Sequence, residues 1–403
     1  MPRLLAYDPA APCTAMKKLN FRQKLRQQRR ARLSANRNRV SRIKQAIRRS
    51  HKLPAFGTSG RWINVYRDGK FSLTRVLNEP RPVPAILSFE ENFEETAKFL
   101  QDLRIGLTSS FSSNRRSRRR NLKRVPVFSR YWDFTRIDSI SVPVALIVAS
   151  EYDRLRKCGG WRPYAIDFEN WRPDVRAMLD SIGFLSLCGV HHSDGTILQG
   201  VGWKVLRFES GTKADGERVD ELLKSLEVDT VFGDPRLYEA MIEALANTRH
   251  HAYPERQHFP EPHFPGWWMT GFVDDRSMLI TVYDKGISIP AALADPANAW
   301  EHHAGWERLM GRLLGRMPSP SDMTADGAAI AAAMKVGRSS TGLEFRGRGL
   351  KTFEDALDAF PNGRLTIRSR AGEYRKDRGR KGRYNTRPTA IDGTLIIWRV
   401  ARN

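Results

Sequence analysis

The sequence predicts a mixed α/β protein of several domains. Its 403 residues are enough for two or three domains that each bury a core. Apolar residues recur at helical spacing in segments such as 92–103, whereas β-branched residues cluster in short runs such as 394–400. These patterns predict a basic, helical arm over residues 1–55, an α/β domain over 56–215 and a second α/β domain over 216–403.

The positive charge is concentrated in two segments. The chain has a formal net charge of +24. Residues 1–52 hold sixteen Lys or Arg against one acid, Asp8, and residues 115–124 hold seven with no acid, so the remainder sums to nearly neutral. We therefore expect residues 17–52 and 115–124 to contact nucleic acid in a salt-dependent way. An anionic membrane surface is the rival partner, but large apolar residues are too few there for stable insertion.

Cysteine usage and hydropathy indicate a cytoplasmic protein. Cys13, Cys158 and Cys188 are widely separated and form no Cys-x-x-Cys pair, which argues against a disulfide framework and a zinc site. No apolar run approaches the length of a membrane span, and the N-terminus lacks the apolar centre of a signal peptide.

The segment 56–215 is predicted to alternate strands and helices. Residues 61–66 and 70–74 form a hairpin whose Asp68-Gly69 pair suits a two-residue turn. The following predicted elements are a strand at 86–89, a helix at 92–103, a helix that follows Ile137-Asp138-Ser139 and ends near residue 156, a strand at 164–168, a helix at 173–182 and a strand at 198–208.

A helix that begins at Pro235 has the clearest periodicity in the segment 216–403. Proline suits the first turn of a helix. The apolar stripe places Glu243 and Asn247, four residues apart, together on one face. The stripe consists of Leu237, Met241, Ile242 and Leu245.

The remaining predicted elements of this segment are mostly strands. Residues 267–272 and 278–283 are expected to pair across residues 274–277, which places Asp284 at the end of a central strand. Farther on we predict a helix at 350–359 and strands at 364–369 and 394–400, separated by a basic, glycine-containing loop.

Three short motifs in the segment 216–403 follow one another in a fixed order. They are Tyr-Glu-Ala-Met-Ile-Glu-Ala-Leu-Ala-Asn at 238–247, Asp-Lys-Gly-Ile-Ser-Ile-Pro at 284–290 and Gly-Arg-Gly-Leu at 347–350. This order and spacing resemble the nucleotide pocket of the GHKL superfamily, which includes gyrase-type topoisomerases, mismatch-repair ATPases and sensor kinases. The resemblance implies a two-layer α/β sandwich that binds ATP and a magnesium ion.

The resemblance also implies roles for individual residues. Asn247 would be the magnesium ligand, because an amide oxygen completes an oxygen shell around this ion. Glu243, one helical turn earlier, would orient or deprotonate the attacking water or hydroxyl as general base. Asp284 would accept the exocyclic amine of adenine, and Gly286 would let the backbone approach the base without a Cβ. The Thr394 that follows Gly393 resembles the threonine that the family places near adenine.

The third motif is expected to hold phosphate. Amides of a glycine-rich turn and the positive end of a helix beginning near Leu350 can cradle an anion. The residues assigned to this contact are Arg346, Gly347, Arg348, Gly349, Leu350 and Lys351.

The loops beside this pocket contain one departure from the family pattern and one predicted lid. The family usually has a glycine where this chain has Ser288. Residues 291–346 are expected to form a lid over ATP, and the small residues 328–333 and 337–342 predict that this lid is mobile.

The segment from about 85 to 190 resembles the STAS domain of anti-sigma antagonists, on the strand-to-helix turn Ile137-Asp138-Ser139. The resemblance implies that Ser139 and Ser141 are phospho-acceptors. The alternative is that a serine caps the following helix.

A group of histidines, His250, His251, His258 and His263, raises the hypothesis of a metal site. Their irregular, proline-rich spacing and the lack of a nearby cysteine favour a solvated loop.

These observations predict an ATP-binding molecular switch that slowly hydrolyses ATP and couples lid closure to nucleic acid or a protein partner, including a second copy. The first alternative is an anti-sigma-type serine kinase that phosphorylates a STAS domain. The second is a nucleic-acid-binding scaffold with a degenerate pocket. Phosphate transfer to protein would distinguish the kinase, and failure to bind ATP would favour the scaffold.

Overall fold

The computed structural model confirms a mixed α/β protein. It describes residues 61–76, 79–119, 131–159, 163–190, 202–226, 235–255, 257, 259, 263–294, 303–316, 319, 321–336, 349–360 and 362–401. Residues 60 to 403 form one compact unit. The arm predicted over residues 1–55 lies outside the described residues. Among the helices of the described part, none combines the length and hydropathy required to cross a bilayer.

An antiparallel sheet of eight strands is the largest element of the described residues. Its strands are β6 (Trp203–Val205), β7 (Glu209–Gly211), β8 (Trp267–Asp274), β9 (Ser277–Asp284), β10 (Gly363–Ser369), β11 (Gly372–Asp377), β12 (Arg383–Thr386) and β13 (Thr394–Ala401). They lie in the order β12-β11-β10-β13-β9-β8-β6, and β7 also pairs with β8. The predicted β8–β9 hairpin is confirmed, with Asp284 as the last residue of β9.

The helices of the described residues fall into two sequence groups. The first group is α1 (Phe93–Arg119), α2 (Val142–Gly159), α3 (Pro173–Ser181) and α4 (Phe184–Leu187). The second is α5 (Gly216–Ser225), α6 (Pro235–Asn247), α7 (Ile289–Ala294), α8 (His303–Leu314), α9 (Asp326–Val336) and α10 (Gly349–Asp355). A 3-10 turn, Ala356–Ala359, continues α10, so the helix predicted at 350–359 is confirmed with a tighter last turn.

One face of the large sheet is covered by helices α5, α6 and α10. The predicted stripe of α6 is the part of that helix that enters the core, where Leu237, Met241 and Leu245 are fully buried. These side chains pack against strand residues such as Val282 and Trp398 in the same cluster. The apolar face that the helical period predicts is therefore the face that α6 buries against the sheet.

The other face of the sheet is covered by the N-terminal half of the described chain. Trp268, Tyr283 and Leu395 project from this face into a core that they share with residues of α1 and α2, such as Leu100 and Ile147. Alternate residues of a strand point to opposite faces, and both faces of these strands carry bulky apolar side chains. The sheet is therefore the middle of three layers, whereas the sequence interpretation predicted a two-layer sandwich and a separate domain over 56–215. The third layer is contributed by that N-terminal segment.

Strands of the N-terminal half form two small sheets. A three-stranded sheet contains β1 (Arg61–Arg67), β2 (Lys70–Val76) and β5 (Ala165–Ile166) in the order β2-β1-β5. Strands β3 (Ile86–Leu87) and β4 (Ser139–Ile140) pair in parallel over two residues each. The predicted hairpin at 61–74 is confirmed. Of the predicted strands that follow it, the one at 86–89 contains β3 and the one at 164–168 contains β5, whereas the one at 198–208 contains β6 of the large sheet.

The region between the last two predicted strands is a β-hairpin and not the loop that the sequence predicts. Residues 370–393 contain β11 and β12, which pair as a hairpin at the edge of the large sheet. Their sequences lack the alternation of apolar and polar residues that predicts a strand, because Arg, Lys and other polar residues predominate in them. Their charges are held by acids from elsewhere, as where Glu90 accepts from Arg375 Nη2 at 2.7 Å.

The predicted mobility of the small residues 328–333 is also corrected. They belong to α9 and are buried, with exposures of 0 to 5%. Small side chains let α9 approach the sheet edge closely, since a Cβ on Gly327 would lie 2.3 Å from the Asn385 carbonyl oxygen. The N-terminus of α9 is anchored because Asp326 accepts hydrogen bonds from the Arg370 guanidinium and from Ala371 N at 2.9 Å. Residues 337–342 lie outside the described residues.

Candidate functional site

Asp284, Thr394 and Ser369 are neighbours at one end of the large sheet. In the register, Thr394 lies opposite Asp284 of β9 and opposite Ser369 of β10. Asp284 also lies opposite Trp267, which packs in the helix-covered core. Because opposed residues of antiparallel strands project from the same face, all three polar side chains lie on the face that α6 covers.

The Asp284 carboxyl is buried, with 7% exposure. Its Oδ1 accepts a hydrogen bond from Gly286 N at 2.8 Å, and Thr394 N also donates to it. Burial raises the pKa of Asp284 to about 7 because the carboxylate loses solvation, and the two backbone hydrogen bonds only partly offset this. The carboxyl is therefore poised to gain or lose a proton near neutral pH.

Two glycines allow close backbone approach around Asp284. Gly393 has φ +72°, and a Cβ there would lie 1.9 Å from the Asp284 carbonyl oxygen. A Cβ on Gly286 would lie 2.3 Å from the Ala252 Cβ. The sequence interpretation assigned Gly286 to the approach of adenine. In the structure Ala252 occupies the space beside Gly286, and Ile287 N donates to the Ala252 carbonyl at 2.9 Å.

The contact at Ala252 joins the second motif to the first. Ala252 ends a π-helical turn, Thr248–Ala252, that directly follows α6. This turn contains His250, which is exposed, and His251, whose pKa is lowered mainly by burial. Among the residues that the structure describes, no group of three or more His, Cys, Asp or Glu could hold a metal ion, and His258 lies outside them.

Glu243 and Asn247 lie on the half-buried face of α6. Burial raises the pKa of Glu243, while the nearby Asn247 amide and His250 act in the opposite direction. The Asn247 amide is close enough to lower the pKa of Glu243, but its buried Nδ2 has no hydrogen-bond acceptor among the described residues. A buried amide nitrogen without an acceptor is uncommon, so this end of α6 suits an oxygen-rich ligand.

The third motif reaches the same region through α10. This helix begins at Gly349 and packs beside α6, and Leu350 contacts the core beneath both. Lys351 is half-buried in the first turn of α10. Arg346, Gly347 and Arg348 lie outside the described residues.

Sequence reasoning missed Ser369 and Tyr253. Ser369 Oγ lies 2.9 Å from Thr394 Oγ1 and accepts from Ile289 N at 2.9 Å, which joins three chain segments. Tyr253 OH accepts from Lys285 N at 2.9 Å and donates to the Gly266 carbonyl at 2.7 Å. These contacts span up to 80 residues of sequence, so no local pattern signals them.

Lys285 links this site to the opposite layer. Its Nζ forms an ion pair with Glu151 of α2, and Glu151 also accepts from Arg154 Nη2 at 2.8 Å. Side-chain exposures are 11% for Lys285, 3% for Glu151 and 4% for Arg154. Thus the residue next to Asp284 is held by a buried charge cluster on the other side of the sheet.

Ser288 occupies a backbone conformation that favours glycine, with φ +86°. It is the residue before α7, where its Oγ lies 3.4 Å from Ala291 N and its carbonyl accepts from Ala292 N at 3.0 Å. The residue that departs from the GHKL pattern is therefore under backbone strain.

We expect Ser288→Gly to raise the free energy of unfolding by about 1 kcal/mol. Relief of a left-handed conformation is worth about 1 to 2 kcal/mol, and a glycine at a helix cap loses only a few tenths relative to serine. Ser288→Ala is the matched control, since it keeps the strain and removes the cap, and should lower stability. Urea unfolding measures both; equal destabilisation by the two variants would contradict this account.

The two predicted phospho-acceptors lie far along the sequence from this site. Ser139 is exposed in β4, and Ser141 precedes α2, where its carbonyl accepts from Ala145 N at 2.9 Å. Ser141 thus occupies the cap position of α2. The basic segment 17–52 and residues 120–124 lie outside the described residues, whereas 115–119 continue α1.

No family model, curated protein or solved structure matches this chain.

Proposed function

We propose that residues 216–403 bind ATP and magnesium as a GHKL domain does, and that the chain is a switch that hydrolyses ATP slowly. The observation that carries this proposal is the convergence of the three motifs. Asp284 and Thr394 lie on the helix-covered face of the sheet, the turn after α6 packs on Gly286, and α10 packs beside α6. Such a meeting of distant segments around one buried carboxyl fits a purine nucleotide.

In this proposal Asp284 selects adenine. A carboxylate accepts a hydrogen bond, and the exocyclic amine of adenine donates one. Because burial raises the pKa of Asp284 to about 7, the accepting carboxylate becomes dominant only as pH rises through 7. ATP affinity should therefore increase between pH 6 and pH 8.

Glu243 and Asn247 act on the phosphates. Asn247 supplies its amide oxygen to magnesium, an ion that neutralises charge on the phosphate oxygens. Glu243 orients the attacking water and accepts its proton, a role that suits a carboxylate whose pKa is raised by burial. Lys351, in the first turn of α10, and the residues 346–349 contact phosphate.

The switch acts through the layers on both sides of the sheet. Contact of ATP with Asp284 changes the surroundings of the adjacent Lys285, which is paired with Glu151 of α2. The basic segments 17–52 and 115–124 contact nucleic acid in this proposal. Their excess of Lys and Arg supports it, because each phosphate contact releases counterions.

Calorimetric titration of the intact chain with ATP and magnesium tests the proposal. Asp284→Asn should weaken binding about 10- to 100-fold, since it removes a charged hydrogen-bond acceptor. Asn247→Ala should weaken the magnesium-dependent part at least about tenfold, the usual loss for even an indirect contact to a metal. The exposed Asn170→Ala is the matched control.

The same experiment separates the alternatives. Absence of ATP binding by the wild-type chain, or equal affinity of Asn247→Ala and wild type with magnesium, would overturn the proposal. Labelled ATP then distinguishes hydrolysis from transfer. Release of free phosphate supports the ATPase, whereas label on Ser139, Ser141 or a STAS partner supports the kinase.

A further inference from the structure

The β11–β12 hairpin is a third concentration of positive charge. Residues 364–387 hold ten Lys or Arg against two acids, Glu373 and Asp377. Outside the two segments 1–52 and 115–124, the charges of the chain sum to nearly zero, but they are unevenly distributed. Its positive charge collects at the end strand of the large sheet, because β12 is the last strand in the order of the described residues.

Both carboxylates of this segment already form ion pairs with arginines. Glu373 is buried and accepts from Arg368 Nε at 3.0 Å. Asp377 accepts from Arg364 Nε at 2.5 Å, and this hydrogen bond is the largest cause of its lowered pKa. The main partners of both carboxylates are therefore arginines of strand β10, Arg368 and Arg364.

The turn cations face solvent. Arg378, Arg380 and Lys381 are exposed, and the Arg383 side chain is 72% exposed while its Nη2 lies 3.5 Å from Asp377 Oδ2. Four cations thus lie within six residues, with one carboxylate beside them. A polyanion is the partner that matches this charge.

Tyr384 adds an aromatic surface next to these cations. It is 50% exposed and lies opposite Tyr374 in the hairpin, so both rings project from the same face. Tyr374 is buried under the sheet edge, which leaves Tyr384 as the exposed ring of the pair. Exposed aromatic rings among cations are the surface on which unpaired bases stack.

The hairpin is held rigidly by α10. Tyr374 OH donates to Glu354 Oε1 at 2.6 Å, and Lys376 Nζ lies 2.5 Å from Glu354 Oε2. Arg378 Nη1 donates to the Phe360 carbonyl at 3.0 Å, beyond the end of α10. A surface that is ordered before binding loses little conformational entropy when a ligand arrives.

We propose that the β11–β12 hairpin binds single-stranded nucleic acid, with Arg380, Lys381 and Arg383 on the phosphates and Tyr384 stacked on a base. An acidic peptide would satisfy the cations but leaves the role of Tyr384 unexplained. The proposal is independent of ATP binding, and it adds a structured contact to the basic segments 17–52 and 115–124.

The test uses the intact chain and a fluorescein-labelled oligothymidylate, with affinity measured over a range of salt concentrations. Arg380→Glu with Lys381→Glu should reduce the slope of log affinity against log salt by about 0.7 for each phosphate that the protein no longer neutralises. Lys70→Glu with Arg276→Glu is the matched control. It changes the net charge equally in exposed turns of two other hairpins and should leave the slope nearly unchanged.

Tyr384 provides the second arm. Tyr384→Ala should weaken binding about 5- to 100-fold, whereas Tyr384→Phe retains the ring and should bind like wild type. Ultraviolet cross-linking should attach the oligonucleotide to the peptide that contains Tyr384. If Tyr384→Ala does not fold, Arg380→Gln with Lys381→Gln and the cross-link map decide the matter.

Three results would overturn the proposal. One is an equal decrease of the slope in the hairpin pair and the control pair, and another is cross-linking confined to residues 1–59. The third is displacement of the oligonucleotide by polyglutamate with no effect of Tyr384→Ala, which would instead identify an acidic protein as the partner.

Discussion

Glu151→Gln should lower the free energy of unfolding by about 3 to 5 kcal/mol. Removal of one partner of a buried ion pair leaves the other charge without compensation, which is far more destabilising than loss of a surface pair. Glu151 faces two cations, Lys285 and Arg154, and all three side chains are at most 11% exposed. Urea unfolding with a spectroscopic probe measures the change.

The pH dependence of this variant follows from Lys285. Burial lowers the pKa of Lys285 from an ordinary value of 10.5 to about 7, and the Asp392 carboxylate acts in the opposite direction. Because this folded-state pKa lies below the ordinary value, the unfolded chain holds a proton between pH 7 and 10 that the folded chain has released, and loss of Glu151 removes a charge that favours the protonated lysine. Stability of Glu151→Gln should therefore rise as pH increases through this range.

Two further variants make the result specific. Lys285→Met combined with Glu151→Gln should recover part of the loss, since it removes the uncompensated lysine. Asp138→Ala breaks the exposed ion pair with Arg172, whose partners are each 58% exposed, and should cost about 1 kcal/mol or less. If Glu151→Gln is as mild as Asp138→Ala, the cluster does not hold the two layers together.

Gly393→Ala should destabilise the protein by about 3 kcal/mol or more. An alanine with φ near +72° is strained by about 1 to 2 kcal/mol, and overpacking adds about 1 to 3 kcal/mol. The new Cβ would lie 1.9 Å from the Asp284 carbonyl oxygen and 2.7 Å from the Lys285 Cα. Since both atoms are backbone, the strand end that carries Asp284 must move.

Gly379→Ala is the matched control for this substitution. Gly379 has nearly the same conformation, φ +70°, but a Cβ there would meet nothing within 4 Å among the described residues. It should cost only about 1 kcal/mol, so the difference between the two variants isolates the steric contact. Gly393→Ala should also abolish ATP binding while Gly379→Ala retains it. Equal destabilisation by both variants would show that the close backbone contact between Gly393 and Asp284 does not contribute to stability.

Much of the local structure could be predicted from the sequence. The stripe of α6, the β8–β9 hairpin and the strand β13 follow from apolar periods of 3.6 and 2, because each such element buries one or two faces wherever it lies. The position of Asp284 at a strand end followed from the same pattern. These features depend on residues close in sequence.

The sequence could not reveal α9 or the β11–β12 hairpin correctly. Small residues fit a mobile loop as well as a helix packed closely on a sheet, and only the neighbouring strands decide between them. Likewise, a basic strand is stable at β11 because Glu90 and Glu354 neutralise Arg375 and Lys376 from distant parts of the chain.

The sequence by itself determined the elements with a clear apolar period, such as α6, β8, β9 and β13, and placed Asp284 at the end of β9. Only the tertiary structure decided that the second face of the sheet is covered by α1 and α2 and that Lys285 meets Glu151, 134 residues away. The physical reason is that periodicity records whether a face is buried, whereas the identity of its partner depends on packing and charge pairing between segments that no local pattern connects.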